Sequence, residues 1–133
     1  MRVLQKSDRV TIVACGDDDL IFGFASAEPI REPKFQSYLE TLYVAPEAWE
    51  RGLGRELLQA IAAELLDRGI GTLALRTLRL GAARSFYEHL GARLVPEGIV
   101  RDAGHFDDVV YGFDDLARLA KRARGEGKER AGS

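Results

Sequence analysis

One stretch decides the fold of this chain: Leu39-Glu40-Thr41-Leu42-Tyr43-Val44-Ala45-Pro46-Glu47-Ala48-Trp49-Glu50-Arg51-Gly52-Leu53-Gly54. Its apolar first part predicts a β-strand that ends at Val44, since Pro46 cannot donate to a strand ladder. A short loop closes with Gly52 and Gly54, and an amphipathic helix begins at once. The first turn of a helix carries backbone N–H groups without partners inside the helix, and the helix dipole places its positive end there. Because glycine lets a bulky anion approach such a backbone, the stretch predicts a binding site for pyrophosphate.

The composition is that of one globular domain. The 133 residues suffice for one core, and the shares of hydrophobic (46%) and charged residues (30%) are ordinary. A net charge of -2 gives no bulk attraction to nucleic acid or acidic membranes. No apolar run approaches the roughly 20 residues of a membrane span. The single cysteine excludes an intramolecular disulfide and a cysteine zinc cluster, and the first residues lack a secretory signal. We therefore expect a cytoplasmic protein with no metal.

Hydrophobic periodicity along the chain predicts its strands and helices. The expected strands are Val10–Cys15, Leu20–Ala27, Tyr38–Val44, Thr72–Thr77, Ala92–Val95 and Val109–Phe113. The expected helices are Gly52–Arg68, Ala82–Leu90 and a final one from Leu116 into Arg124. The first helix and its short loops form a crossover between two parallel strands. We expect a single domain over residues 1–124 and a flexible charged tail over residues 125–133.

A second motif follows the glycine turn, Ala83-Arg84-Ser85-Phe86-Tyr87-Glu88-His89-Leu90-Gly91. The two blocks together resemble the GNAT superfamily of acyl-CoA-dependent N-acyltransferases. Positions 49–54 are similar to its acetyl-CoA signature, Gln/Arg-x-x-Gly-x-Gly/Ala, and positions 83–91 to its Ala-x-x-Phe-Tyr-x-x-x-Gly segment. The resemblance implies an α+β fold, with helices packed on a mixed, largely antiparallel central sheet of about six strands.

The resemblance also implies an activity. A GNAT enzyme moves an acetyl group from acetyl-CoA, its co-substrate, to a primary amine of a small molecule or peptide, by direct attack in a ternary complex. The backbone of Leu42 and Val44 would pair with the amides of the pantetheine arm, and the N–H of Val44 would meet the oxyanion. The remaining cofactor contacts are assigned to Trp49, Glu50, Arg51, Gly52, Leu53, Gly54 and Arg55. Arg84 is a further candidate for phosphate binding.

Two residues are candidates for catalysis. Tyr87 occupies the position of the family's leaving-group acid, and a phenol could donate a proton to the thiolate; the alternative is a core tyrosine beside Phe86. Glu40 interrupts an apolar strand, where burial would suit a general base that deprotonates the amine. Its alternative is an edge-facing or salt-bridged glutamate. His105, Asp107 and Asp108 lie toward the expected acceptor side, where they could hold a cationic amine or serve as a substitute base; the alternatives are a solvated acidic turn for Asp108 and a surface histidine for His105.

Three departures from the family pattern are visible. Trp49 replaces the first Gln or Arg of the signature, and Leu80 stands where Asn is frequent. Only about nine residues precede Val10, so we expect the family's N-terminal strand and two helices to be absent. These departures keep open a second function, a non-catalytic acyl-CoA-binding module or a subunit of a larger complex.

The expected loss of the N-terminal helices has a consequence for assembly. One face of the sheet would then expose apolar surface from Phe22, Phe24, Phe35 or Tyr38. Isolated domains rarely leave such a patch bare, and a two-fold dimer is the commonest way to cover one. The sequence therefore predicts a homodimer that binds an amine acceptor, with no nucleic-acid or membrane partner.

Overall fold

One seven-stranded sheet organises the residues that the computed structural model describes, 1–6, 8–18, 20–99 and 107–120. The strands are β1 (Arg2–Lys6), β2 (Arg9–Cys15), β3 (Ile21–Pro29), β4 (Ser37–Val44), β5 (Leu73–Leu78), β6 (Arg93–Leu94) and β7 (Asp108–Phe113). Their order is β1-β2-β3-β4-β5-β7-β6, and β4 with β5 is the one parallel pair among them. The predicted α+β class with a mixed, largely antiparallel sheet is confirmed.

The helices lie close to their predicted positions. A short 3-10 helix (Pro46–Ala48) precedes α1 (Leu53–Asp67), and α2 (Ala83–His89) follows β5. A third helix begins at residue 116 and reaches the end of the described range at 120. The predicted apolar stripe of α1 is fully buried at Leu57, Leu58, Ile61 and Leu65. The remainder of the final helix and the tail at 125–133 lie outside the described residues.

Strand β1 corrects the expectation that no strand precedes Val10. It pairs antiparallel with β2 over its whole length, with Val3 opposite Ile12. β1 lies at the edge of the sheet, where Val3 and Leu4 stay 45% and 52% exposed. An edge strand of this kind buries neither face fully, so its residues show no clear apolar alternation.

Two apolar clusters lie on opposite faces of the sheet. The larger one packs α1 against β2, β3 and β4. The smaller one holds Phe35 against Ala74, Val95 and Val110. Phe35 is fully buried, and a Cβ added at Gly112 would lie 2.2 Å from its ring. The expectation that Phe35 is exposed is therefore wrong: Gly112 leaves a gap in β7 that the ring fills.

Strands β4 and β5 pair at a single position, Tyr38 with Ala74. Just beyond it, the register of β4 against β3 shifts from Leu39 to Thr41, which leaves Glu40 as the extra residue of a β-bulge. Bulges bend the strand that carries them. Beyond Tyr38 and Ala74 the two strands form no further ladder, and we call the gap between them the β4–β5 cleft.

Candidate active site

The N-terminus of α1 presents unused backbone donors. The first hydrogen bond of the helix runs from the N–H of Glu56 to the carbonyl of Gly52, at 3.1 Å. The N–H groups of Gly52, Leu53 and Gly54 donate to none of the described residues. These three donors and the positive end of the helix dipole form a site suited to an anion. The prediction made from the glycine turn therefore has a matching geometry.

The two glycines of the turn serve different purposes. Gly52 has a φ of 79°, which side chains disfavour, and a Cβ there would meet only Arg55 Nη2, at 3.7 Å. At Gly54 a Cβ would lie 3.3 Å from the ring of Phe86 and 3.7 Å from Val44. Gly52 thus permits the turn, whereas Gly54 lets α1 approach α2 and β4 closely.

A cavity of about 660 Å³ lies between the start of α1 and helix α2. We call it the α1 cavity; its lining residues are Glu50, Arg51, Gly52, Arg55, Ser85, Phe86, His89 and Leu90. Two arginines outnumber one carboxylate, so the cavity favours a ligand with negative charge. Its volume lies within the usual range for sites that bind a cofactor. The predicted contacts Glu50, Arg51, Gly52 and Arg55 all line it.

The free edge of β4 faces the β4–β5 cleft. The N–H of Ala45 donates to Phe22 O of β3, at 2.7 Å. Since the backbone groups of successive strand residues point to opposite sides, the N–H and C=O of Val44 point into the cleft, and those of Leu42 share this orientation. The indole Nε1 of Trp49 donates to Val44 O, at 2.8 Å. The structure thus brings Trp49 and Val44 together at the mouth of the cleft.

Tyr87 lies on α2 with its ring packed into the main core. The residue is 8% exposed, and its ring meets Phe86 edge-on, at 5.1 Å between centroids. Burial raises the pKa of Tyr87 to about 12. The hydroxyl forms no hydrogen bond with any described residue. The phenol is therefore neutral near pH 7 and keeps its proton available for donation.

Glu40 has the salt-bridged arrangement, not that of a desolvated carboxylate. Its two oxygens meet Arg9, with Nε–Oε1 at 2.7 Å and Nη2–Oε2 at 3.1 Å, and its side chain is 24% exposed. Arg9 also lies 3.5 Å from Glu28. The β-bulge removes Glu40 from the regular alternation of β4, which explains why an apolar strand tolerates it.

A second cavity, of about 380 Å³, lies on the face of the sheet that is opposite α1. We call it the opposite-face cavity. Its apolar lining includes Val95, Ile99 and Val110, and its charged lining includes Arg76 and Asp108. The Arg76 guanidinium lies 5.8 Å from the ring of Tyr38, the last residue of β4 that pairs with β5. Arg76 therefore connects this cavity to the β4–β5 cleft.

The model of the acetyltransferase (GNAT) family matches residues 2–92, more than half of the chain. The chain belongs to the GNAT family of acetyltransferases. The resemblance drawn from its two sequence motifs is confirmed.

The chain is also similar to individual proteins, in sequence and in fold. The chain is 29% identical over 117 residues to "Uncharacterized N-acetyltransferase YuaI" of Bacillus subtilis (strain 168), covering 86% of this chain and 68% of that protein. The fold is similar to a GNAT acetyltransferase from Staphylococcus aureus Mu50, with a TM-score of 0.70, 20% identity, and 83% and 69% of the two chains covered. It is also similar to an aminoglycoside 6'-N-acetyltransferase complexed with coenzyme A, with a TM-score of 0.65, 22% identity, and 83% and 74% covered.

One buried polar network of this GNAT chain was not predicted from its sequence motifs. The hydroxyl of Tyr111 is fully buried; it accepts from Arg84 Nε at 2.9 Å and donates to Glu88 Oε2 at 2.6 Å. Arg84, a candidate for phosphate or adenosine binding, also donates to Arg79 O, and the two hydrogen bonds hold α2 in place. The i, i+4 spacing of Arg84 and Glu88 was the one available signal.

Asp107 and Asp108, two further candidates of this GNAT chain, lie apart from the α1 cavity. Asp108 lines the opposite-face cavity, whereas Asp107 is exposed and its carbonyl accepts from Arg79. His105 lies outside the described residues. Within the described ranges, no group of three or more metal-binding side chains gathers, and no helix is long and apolar enough to cross a membrane.

Proposed function

We propose that this protein transfers an acetyl group from acetyl-CoA to a primary amine of a small molecule or peptide, by direct attack in a ternary complex. One observation carries the proposal: the donor-rich N-terminus of α1 lies beside the free edge of β4, with Gly54 next to Val44. A ligand with a diphosphate at one end and an extended amide arm at the other can bind both the helix N-terminus and the strand edge. Acyl-CoA has this chemistry.

The phosphates of the cofactor bind at the start of α1. The N–H groups of Gly52, Leu53 and Gly54 donate to phosphate oxygens, and Arg51 and Arg55 neutralise their charge. The adenosine end occupies the α1 cavity, which these residues line in part. The amide arm follows β4 as an added strand, because an exposed strand edge pairs with any extended chain of amides.

The thioester then lies in the β4–β5 cleft, where the chemistry takes place. The amine nitrogen attacks the carbonyl carbon, and the charge that develops on the carbonyl oxygen meets the N–H of Val44. Collapse of the tetrahedral intermediate breaks the C–S bond while the nitrogen loses a proton. Tyr87 donates its hydroxyl hydrogen to the departing sulfur and regains a hydrogen from water before the next turnover; with a pKa of about 12 the phenol is protonated at neutral pH.

The amine approaches from the face opposite the cofactor, since the cofactor fills the α1 side. We assign the proton acceptor to Glu40, which lies on the bulge where the cleft begins and is oriented by its two contacts with Arg9. A carboxylate in its ionised form accepts the ammonium proton directly or through a water molecule. Asp108, in the opposite-face cavity, is the alternative acceptor.

Trp49 and Leu80, which depart from the family's sequence pattern, favour a second function, acyl-CoA binding without turnover. A protein that binds acyl-CoA without turnover could serve as a subunit of a larger complex. The two functions differ in whether the thioester is cleaved when an amine is present.

Thiol release separates these functions. Acetyl-CoA is incubated with a panel of small amines and peptides, free thiol is measured, and coenzyme A binding is followed in parallel by calorimetry. Amine-dependent thiol release supports the transferase, with amine-free samples as the control for hydrolysis. Binding without release on a panel that includes peptide amines supports the binding module. Absence of both contradicts both functions.

We further propose that a second copy covers the face opposite α1, next to the cleft. Phe24 and Tyr43 lie together there, 5.4 Å apart, and Tyr43 is 44% exposed. Leu4 of β1 shares this face and is 52% exposed. Light scattering at micromolar concentration tests the dimer. A monomer that acetylates amines would show that one copy suffices.

A further inference from the structure

Trp49 is the only tryptophan of the chain, and its side chain has one polar anchor. The indole Nε1 donates to Val44 O at 2.8 Å, while the residue as a whole is 63% exposed. The indole therefore lies on the surface of the loop and is not part of the core. Its backbone N–H is bonded to Pro46 O at 3.2 Å, at the end of the 3-10 helix, so the loop around it is ordered by local bonds.

The carbonyl that Trp49 binds is one of few available on the free edge of β4. Ala45, which follows it, donates to β3, so Val44 presents its own polar groups to the β4–β5 cleft. An amide arm that adds to this edge as a strand needs that carbonyl as an acceptor. The indole supplies the same kind of N–H donor, at the same atom, from within the protein.

We propose that Trp49 occupies the place of the cofactor's amide arm, and that coenzyme A must displace the indole from Val44 in order to bind. This inference rests on the proposed function, which lays the arm along β4. Trp49 then determines the affinity for ligands that carry the arm and has no effect on ligands that carry only the nucleotide. Trp49 therefore discriminates between ligands with and without the amide arm, and it takes no part in the acetyl transfer itself.

The expected effect is modest, because the contact is exposed to solvent. A hydrogen bond between neutral groups at such a position changes an equilibrium by about 2- to 10-fold. Trp49→Phe keeps an aromatic ring but removes the N–H. We expect this variant to bind coenzyme A about 2- to 10-fold more tightly than the natural chain. Its affinity for 3'-phosphoadenosine 5'-diphosphate, the nucleotide half without the arm, should be unchanged.

The natural chain supplies a second measurement that requires no variant. Its fluorescence comes from one indole, so displacement of Trp49 should shift the emission during a titration with coenzyme A and leave it unchanged with the nucleotide half. Equal affinities of the two proteins for coenzyme A, together with an unchanged emission, would overturn the role of Trp49 and leave the proposed function intact. Failure of coenzyme A to bind either protein would overturn both proposals.

Discussion

The two cavities on either side of the β4–β5 cleft differ in the groups that they offer to a ligand. The α1 cavity has backbone donors at its edge, supplied by a turn whose shape depends on Gly52. The opposite-face cavity is lined by side chains such as Arg76, Asp108 and Ile99, on strands and loops that are distant in sequence. Backbone donors do not depend on the identity of a side chain, so they suit the part of a ligand that is the same for every substrate. Side chains can be replaced without loss of the fold, so they suit the part that differs between substrates.

The largest expected effect belongs to Tyr87, which lies on the helix that forms one wall of the α1 cavity. Tyr87→Phe removes the hydrogen that the departing sulfur receives, so kcat should fall roughly 10- to 1,000-fold. Affinities for acetyl-CoA and for the amine should stay within a few-fold, since the ring and its contact with Phe86 remain. Steady-state kinetics and calorimetry measure these quantities. Unchanged turnover in a folded variant would show that Tyr87 has only a structural role.

The raised pKa of Tyr87 also predicts a dependence of stability on pH. The pKa is about 12 in the folded protein and 10.0 without burial, so the stabilising contribution of the neutral phenol is complete below pH 10. It is lost as the pH rises from 10 to about 12, by about 3 kcal/mol in total. In denaturant unfolding across this range, the stability of the natural chain should fall more steeply with pH than that of Tyr87→Phe, by about this amount. Parallel slopes would contradict the assignment.

The two glycines with a φ of 79° allow a matched test of the backbone donors at the α1 cavity. Gly52 begins α1 at the α1 cavity, whereas Gly69 follows its far end and faces open space. Alanine at either position should cost about 1–2 kcal/mol of folding free energy, because side chains disfavour this conformation. Only Gly52→Ala should also weaken coenzyme A binding in calorimetry. If both variants bind equally well, the turn is a structural feature and not part of the cofactor site.

The smallest expected effects separate the two cavities directly. Arg55→Gln removes a cation from the α1 cavity and should weaken coenzyme A binding by about 10-fold, the usual weight of a charged hydrogen bond. Asp108→Asn alters the opposite-face cavity and should raise the KM for the amine by a similar factor, with coenzyme A affinity unchanged. A crossed result, in which Asp108→Asn changes coenzyme A binding, would show that the cavities do not divide the substrates.

The parts of the fold that could be predicted are those determined by residues close together in the sequence. The strand to Val44, the glycine turn, α1 and α2 follow from apolar periodicity, from Pro46 and from the glycine at the turn. The anion site follows from the same few residues, because a helix N-terminus brings its own donors. These features need no knowledge of distant neighbours.

The parts that were missed depend on contacts between distant residues. Glu40 is paired with Arg9, 31 positions away, and Phe35 is buried because Gly112 makes room for its ring. Periodicity within one segment carries no information about such partners. The same holds for Tyr111, whose hydroxyl is satisfied by two residues of α2. Candidate catalytic residues could be named from the sequence, but their partners could not.

The single pair that joins β4 to β5 has a thermodynamic consequence. Tyr38 and Ala74 form the one ladder pair between two antiparallel ladders, β1 to β4 and β5 with β7 and β6. A ligand whose arm fills the cleft would complete the sheet as a strand that is not part of the polypeptide. Binding of this kind stabilises the folded state by mass action, by about 2.7 kcal/mol at a ligand concentration of 100 Kd. Backbone amides on the free edge of β4 should then exchange their hydrogens slowly when coenzyme A is bound and quickly without it.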